Sequence, residues 1–244
     1  AVELADNLAQ QAIDLLIEYQ LEASASNRIA NRFQKRNIPM IAVDIPIVGA
    51  TYFGVNNYLA GHMAGEALGQ WIKKQWKGQY EYLIVLGEKR AGALPAARIQ
   101  GQLEGLQEII TTKPRHTFYL ESGNTSEVSY QHVLETLRTL KPRHLAVLSF
   151  NDDAALGALR AVRELSWQNV AIVGQGADRV IRAELRKGES FIIGSTAFRP
   201  EHYGERLLEL ALKLLRGEVV PPAVYSEHNF INADNVDVFY PEES

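Results

Sequence analysis

Three consecutive polar residues, Asn151, Asp152 and Asp153, stand between an apolar run and a helix-forming run. Residues 144–150 are short, rich in β-formers and almost entirely apolar, which predicts a strand buried on both faces. Residues 154–162 place apolar side chains at helical spacing. Open α/β sheets bind ligands at such a position, just beyond the carboxyl end of a parallel strand. Because Asn and Asp are also preferred N-cap residues, helix capping is the alternative interpretation.

The composition excludes several other kinds of chemistry. The chain has 244 residues, a net charge of −4 and no cysteine, so disulfides and thiolate metal sites are excluded and no general attraction to nucleic acid is expected. The six histidines form no HExxH or similar pair, and we predict no metal site and no cofactor. No nucleophile–base pair or phosphate-binding glycine loop stands out, so we predict no catalytic residue and no enzymatic activity.

Strand-like and helix-like segments alternate along the chain. The predicted strands are 13–17, 40–43, 82–86, 117–120, 145–149, 170–173 and 191–193, and the predicted helices are 24–36, 58–74, 96–110, 128–140, 153–165, 179–186 and 201–215. This alternation predicts parallel sheets with helices on both faces. Residues 44–57 are predicted to be a long loop, which leaves only two strands before it. Because two strands do not make a sheet with both faces covered, this part either joins the other sheet or lacks neighbouring strands.

Four segments, in order, resemble the type I periplasmic binding proteins, the family of ribose-binding-protein-like sugar receptors and LacI-type effector domains. They are NIPMIAVD (37–44), VNNYLAGHMAG (55–65), AARIQG (96–101) and FNDDAALGA (150–158). The resemblance implies an α/β fold of two Rossmann-like parallel-sheet domains joined by a three-strand hinge. It implies that residues 1–55 with 199–227 form the N-terminal subdomain and that 56–198 with 228–244 form the C-terminal one.

The family pattern also accounts for the small number of early strands. Proteins of this family begin with a strand, a helix and a strand that have no counterpart here. We therefore expect the first domain to be incomplete at its N-terminus by roughly 50–60 residues, the length of a βαβ unit and its connections. A signal peptide or a DNA-binding domain would lie in that part.

The resemblance implies ligand-binding roles for Asp44, Arg98 and Asn151, which we expect to converge on one cleft between the domains. An ionised Asp44 can accept hydrogen bonds from two adjacent sugar hydroxyls, and Arg98 offers five donors in a fixed fork. The alternative for Asp44 is loop capping. For Arg98 it is a surface salt bridge with Glu104 or Glu108.

Other positions depart from the ribose-type pattern. Gln175 and Gly176 stand where an aromatic residue and an Asp are common, Phe198 where Gln is frequent, and Tyr19 where Asn is usual. Ile45 replaces a common Arg. We predict that Gln175, Phe198 and Tyr19 contact the ligand, although Tyr19 and Phe198 equally fit ordinary core packing. The site loses polar groups and gains aromatic surface, so a less hydroxylated, larger or differently charged sugar derivative is as plausible a ligand as ribose.

The resemblance predicts a receptor that closes around a sugar-like ligand without turning it over. Such a receptor is periplasmic or extracytoplasmic and delivers its ligand to the membrane permease of an ABC transporter. The alternative is a cytoplasmic effector domain of a LacI-type regulator, which would bind operator DNA through a missing N-terminal domain. The segment FINADNVD (230–237) resembles the ends of transporter receptors, and the repressors' PPLTTV segment is missing, so the receptor is favoured.

Overall fold

The computed structural model describes residues 2–20, 22–88 and 93–241. The chain divides into two compact units, Ala1–Asn56 with Arg199–Glu227, and Asn57–Phe198 with His228–Ser244. The polypeptide therefore passes from one unit to the other three times. No helix within the described ranges has the length and apolar character needed to cross a membrane.

Helices and strands alternate through both units. The helices are α1 (Val2–Gln10), α2 (Ala23–Gln34), α3 (Asn57–Gln75), α4 (Ala93–Ile109), α5 (Ser126–Arg138), α6 (Asp152–Glu164), α7 (Arg179–Arg186), α8 (Tyr203–Leu215) and α9 (Val236–Phe239). The strands are β1 (Leu16–Glu18), β2 (Met40–Val43), β3 (Thr51–Gly54), β4 (Tyr82–Gly87), β5 (His116–Glu121), β6 (Leu145–Ser149), β7 (Val170–Gly176), β8 (Ile192–Ala197), β9 (Ala223–Tyr225) and β10 (Asn229–Ile231).

The first unit is built on a four-stranded sheet in the order β1-β2-β3-β9. All of its neighbouring strands are parallel. Ile29 and Phe33 of α2 share a buried core with Met40 on one face. Leu210 of α8 shares another with Phe53 on the opposite face. Because both faces are covered, polar groups can gather only at the strand ends and edges of this sheet.

Strands β3 and β9 correct the sequence prediction, which had a loop over residues 44–57 and only two strands in this unit. Phe53 pairs with Val43 on one side and with Val224 on the other. The prediction was wrong because strands of three or four residues are too short to show an alternating pattern, and they form only through pairing with distant neighbours. For the same reason β10 was missed, and the strand expected at 13–17 lies at Leu16–Glu18.

The second unit is built on a six-stranded sheet in the order β10-β8-β7-β6-β4-β5. Its strands are parallel except for β10, which is antiparallel to β8. Neighbouring residues of a central strand are buried on opposite faces. Ile84 belongs to the core formed with α5, α6 and α7, whereas Val85 belongs to the core formed with α3 and α4. The apolar runs of these strands are continuous because both faces are covered.

Helices α3 and α4 pack with their backbones in direct contact, which fixes the position of Arg98. A Cβ atom added to Gly61 of α3 would clash with the Arg98 carbonyl oxygen. A Cβ atom added to Gly101 of α4 would clash with the Tyr58 carbonyl oxygen. The glycine three residues after Arg98 is therefore explained by this close approach.

The ends of several elements also differ from the prediction. Strands β7 and β8 continue to Gly176 and Ala197, so Gln175 is part of a strand. Helix α8 begins at Tyr203, after a 3-10 turn over Pro200–His202. Arg199 has a left-handed backbone with φ of 55°, which ends the extended chain before that turn.

Candidate functional site

Arg98 is the centre of a polar cluster at the carboxyl end of the six-stranded sheet. Its side chain comes from α4, and the residue is only 9% exposed. Nε and Nη2 donate to the Asn57 Oδ1 at 3.2 and 2.7 Å, and Nη1 donates to the Phe150 carbonyl oxygen at 2.7 Å. A buried charge of this kind is tolerable only when it is well supplied with hydrogen bonds. The cluster therefore holds the guanidinium in one orientation.

Two aromatic rings also contact this guanidinium. The Arg98 Cζ lies 4.8 Å from the ring centroids of both Phe150 and Phe198, within the range of a cation–π interaction. The Phe198 ring meets the His228 ring edge-to-face at 6.1 Å. The structure thus brings two predicted site residues, Arg98 and Phe198, into contact.

The proposed surface salt bridge of Arg98 with Glu104 or Glu108 is wrong. Glu104 accepts a hydrogen bond of 2.6 Å from the Tyr58 hydroxyl. Glu108 lies 3.0 Å from the His62 Nε2. Both carboxylates thus bind side chains of α3 on the outer side of the α3–α4 pair, whereas the guanidinium of Arg98 points into the cluster. Arg98 is consequently a buried residue of the strand-end cluster.

Asn151 caps helix α6. Its Oδ1 accepts a hydrogen bond of 2.9 Å from the Ala154 backbone N–H, and its Nδ2 donates to the Asn124 Oδ1 at 2.7 Å. The capping interpretation therefore describes what the side chain does in this structure. A role in ligand binding stays a prediction, for which the second N–H of the Asn151 Nδ2 can donate to a ligand while the bond to Asn124 is kept.

Gln175 presents a buried acceptor to the same region. The residue is 2% exposed, and its Nε2 donates to the Ala60 carbonyl oxygen at 3.2 Å. The Thr196 hydroxyl donates to the same oxygen at 3.0 Å. The Gln175 Oε1 has no hydrogen-bond partner among the described residues. An unpaired buried acceptor costs about 1–3 kcal/mol, so a hydroxyl group that reached it would be bound favourably.

Asp152 is a buried carboxylate whose role the sequence reading missed. The residue is 2% exposed. Its Oδ1 accepts from the Ser195 hydroxyl at 2.6 Å and its Oδ2 from the Asp178 backbone N–H at 2.8 Å. Burial raises the pKa of Asp152 from its ordinary 3.8 to about 7, the Ser195 hydrogen bond opposes this rise, and the charge of Asp178 adds to it.

Asp152 lies just after β6, and its carboxylate binds the segment that follows β7 and Ser195 of β8. A Cβ atom added to Gly174 would clash with its Oδ1, which explains one of the glycines on either side of Gln175. Those two glycines are the sequence signal that could have revealed a side chain packed on this strand end. Asp152 therefore positions the strand end that carries Gln175.

A separate polar group occupies the strand ends of the first unit. Asp44 follows β2 with a left-handed backbone, φ 56°. Its Oδ1 accepts from the Val55 backbone N–H at 3.3 Å and from the Tyr203 hydroxyl at 3.2 Å. A Cβ atom at Gly54 would clash with this carboxylate. Asp44 thus makes a loop-capping contact, and Tyr203 adds a phenol that the sequence reading missed.

Tyr19 follows β1 in the same unit. Among the described residues its side chain belongs to no core cluster, and the residue is 57% exposed, so the core-packing interpretation of Tyr19 is wrong. Tyr19 and Asp44 directly follow the carboxyl ends of β1 and β2, which are neighbouring parallel strands of the four-stranded sheet. The six predicted ligand residues thus fall into two groups: Tyr19 and Asp44 in the first unit, and Arg98, Asn151, Gln175 and Phe198 in the second. No group of three or more metal-binding side chains occurs in the described part of the chain.

A family model described as a periplasmic binding protein domain matches residues 1–218. The chain belongs to this family, and the resemblance seen in its sequence is confirmed. The ribose import binding protein RbsB of Escherichia coli (strain K12) is 26% identical over 225 residues, which cover 90% of this chain and 72% of that protein. The protein of the same name from Haemophilus influenzae is 30% identical over 196 residues, which cover 79% of this chain and 62% of that protein.

Solved structures share the fold. A periplasmic solute-binding protein of an ABC transporter from Actinobacillus succinogenes, with bound D-allose, has a TM-score of 0.83 and 18% identity over 97% of this chain and 84% of that one. A solute-binding protein from Bacillus halodurans, with bound myo-inositol, has a TM-score of 0.76 and 17% identity over 98% and 81%. The predicted α/β fold of type I periplasmic binding proteins is thereby confirmed.

Proposed function

We propose that this protein is a solute-binding receptor for a sugar or a sugar-like small molecule. The observation that carries the proposal is the strand-end cluster of Arg98, Asn57, Phe150 and Phe198. Aromatic rings suit the apolar C–H faces of a sugar, and a fixed guanidinium suits its hydroxyls. The relatives that are named for ribose import support the same class of ligand.

The remaining polar groups supply the acceptors that sugar hydroxyls need. The buried Gln175 Oε1 and the Asp44 carboxylate each accept from a hydroxyl. Ribose itself is not the ligand we favour, since Ile45 and Gly176 stand where ribose-type proteins carry Arg and Asp. A sugar with fewer hydroxyls, or with an apolar substituent facing Phe198, fits this set of groups better.

We further propose that the two units close on the ligand and that the closed receptor delivers it to an ABC importer outside the cytoplasm. The three passages of the chain between the units supply the hinge that such closure requires. The site binds its ligand without chemistry, because a receptor must release it unchanged.

A thermal-shift screen of pentoses, hexoses, deoxy sugars and sugar alcohols tests the ligand class. Binding stabilises the folded state by RT ln(1 + [L]/Kd), which is about 2.7 kcal/mol at 100 Kd. For a chain of this size the melting temperature should rise by several degrees. A response to amino acids or nucleosides alone would overturn the carbohydrate assignment, and consumption of the ligand, followed by NMR, would overturn the receptor role.

The transport role needs its own test. Proteoliposomes that contain a sugar permease and its ATPase from the source organism should take up the ligand only when the receptor is added with ATP. Specific binding of operator DNA by the full-length protein, released by the sugar, would assign it to the regulators instead.

A further inference from the structure

The amino ends of four parallel strands lie at the edge of the six-stranded sheet opposite the Arg98 cluster. Backbone hydrogen bonds join the segments that enter these strands. The His116 N–H donates to Glu81 at 3.1 Å, the Glu81 N–H donates to His144 at 3.1 Å, and the Leu145 N–H donates to Asn169 at 2.9 Å. The segments entering β5, β4, β6 and β7 therefore form one continuous surface.

This surface has a strong positive charge. Seven exposed basic residues, here called the basic edge, are Lys73, Lys74, Lys77, Lys113, Arg115, Lys141 and Arg143. They come from the end of α3 and from the segments that enter β5 and β6. The whole chain carries 25 Lys and Arg and a net charge of −4, so more than a quarter of its basic residues lie on one edge of an acidic protein.

Few carboxylates neutralise the basic edge. Within residues 73–81, 110–116 and 139–144, Glu81 is the single acidic residue. Its carboxylate accepts from the His144 backbone N–H at 3.1 Å. In the described part of the chain, none of the seven basic residues forms an ion pair. The positive charge is thus available to a partner.

A pocket whose lining is part apolar and part polar opens beside Lys113. Its volume is about 460 Å³, and the buried side chains of Leu83, Leu106 and Ile110 line it. Lys113 and the exposed Tyr119 line it as well. A cavity with an apolar part, next to a basic surface, matches a partner that has an anionic head and an apolar tail.

We propose that the basic edge binds the surface of an anionic lipid membrane, with the pocket beside Lys113 taking the apolar part of a lipid. Lys and Arg side chains near an anionic bilayer bind its headgroups electrostatically. A nucleic acid is the weaker candidate, because it has no apolar chain to place against the apolar residues of the pocket, Leu83, Leu106 and Ile110. In addition, the aromatic residues of this edge, Trp76 and His144, stack on each other with ring centroids 4.7 Å apart. One face of each ring is therefore not available for stacking on a nucleic-acid base.

Sedimentation of the intact protein with lipid vesicles tests the proposal. The protein should bind phosphatidylcholine vesicles that contain phosphatidylglycerol and not vesicles of phosphatidylcholine alone, and added salt should weaken binding. The triple variant Lys73→Gln, Lys74→Gln, Lys77→Gln should bind roughly 100-fold more weakly, since each basic residue contributes about fivefold in affinity. The variant Gln107→Trp, which narrows the pocket without changing its charge, should also bind more weakly.

A matched control removes three exposed basic residues from α2 and the turn after it. The variant Arg28→Gln, Lys35→Gln, Arg36→Gln has the same net charge as the triple variant of the basic edge. It should nevertheless bind the vesicles as the wild type does. Both triple variants should keep the wild-type melting temperature and the wild-type response to sugar, which separates this proposal from the receptor function.

Four results would overturn the proposal. They are equal binding to both kinds of vesicle, an equal loss in both triple variants, and release from the vesicles by inorganic phosphate beyond that by chloride of the same ionic strength. The fourth is tighter binding to an oligonucleotide than to the anionic vesicles, which would assign the edge to nucleic acid. Unchanged binding by the Gln107→Trp variant would overturn the part assigned to the pocket.

Discussion

Two hydrogen bonds join the Arg98 guanidinium to the Asn57 side-chain oxygen, at 2.7 and 3.2 Å. Asn57 is the first residue of α3, and Arg98 lies in α4, so the pair links the two closely packed helices at the strand ends. A third bond goes to the Phe150 carbonyl oxygen. Three hydrogen bonds of the guanidinium thus hold the cluster itself together.

Loss of the Asn57 side chain should therefore cost stability before any ligand is added. The Asn57→Ala variant leaves a buried cation without this partner, and its free energy of unfolding should fall by about 1–3 kcal/mol. The Asn57→Asp variant keeps an acceptor of the same shape and should retain more stability than Asn57→Ala. Urea unfolding of both variants measures the difference, and equal stability of Asn57→Ala and the wild type would contradict the buried pairing.

Substitutions at Asn151 separate helix capping from ligand binding. The Asn151→Ala variant loses the cap of α6 and should lose about 1 kcal/mol of stability. The Asn151→Asp variant keeps an acceptor for the Ala154 N–H and loses the Nδ2 donor. If Asn151 donates to the ligand, both variants should bind at least tenfold more weakly, whereas only Asn151→Ala should melt earlier. Wild-type affinity of Asn151→Asp, measured by titration calorimetry, would leave Asn151 with capping alone.

The close approach of α3 and α4 predicts a difference between two glycines. The Gly101→Ala variant places a methyl group against the Tyr58 carbonyl oxygen, so it should lose about 1–3 kcal/mol of stability and shift Arg98. A Cβ added to Gly204, in α8, would meet no atom within 4 Å from the rest of the described chain, its chain neighbours and its own helix backbone aside, so Gly204→Ala should be neutral or stabilising by up to about 1 kcal/mol. Thermal unfolding of both variants checks this, and equal effects would contradict the packing.

The strand ends that carry the candidate site could be predicted from the sequence. The apolar runs before Asp44, Asn151 and Gln175 are buried strands, because a run covered on both faces can be recognised without knowing its neighbours. The four-residue strand Thr51–Gly54 could not be found in this way. It is held by β2 and β9, and the latter lies about 170 residues further along the chain.

The hydrogen-bond partners inside the cluster could not be predicted from the sequence. Asn57 and Arg98 meet only because the glycines let α3 and α4 approach, so their pairing depends on a packing distance that no local pattern records. Likewise, the run of Asn151, Asp152 and Asp153 does not tell which side chain turns inward. The cap geometry at Asn151 directs Asp152 into the protein and leaves Asp153 exposed.

Asp152 should make the stability of the protein depend on pH. Its pKa is raised to about 7 in the folded state, mainly by burial, from an ordinary 3.8. Between about pH 4 and 7 the folded state therefore holds a proton that the unfolded state releases. The stabilising contribution of this group is complete below pH 4 and is lost as the pH rises through 7. One pKa unit corresponds to about 1.4 kcal/mol, so the loss amounts to a few kcal/mol.

Two variants isolate this contribution from that of the other carboxyl groups. The Asp152→Asn variant has no proton to lose, so its free energy of unfolding relative to the wild type should improve as the pH rises from 5 to 8. The Asp153→Asn variant, which changes the exposed neighbour, should follow the wild-type pH dependence. Urea unfolding at a series of pH values gives both curves. A constant offset between Asp152→Asn and the wild type would mean that Asp152 is ionised in the folded protein throughout this range.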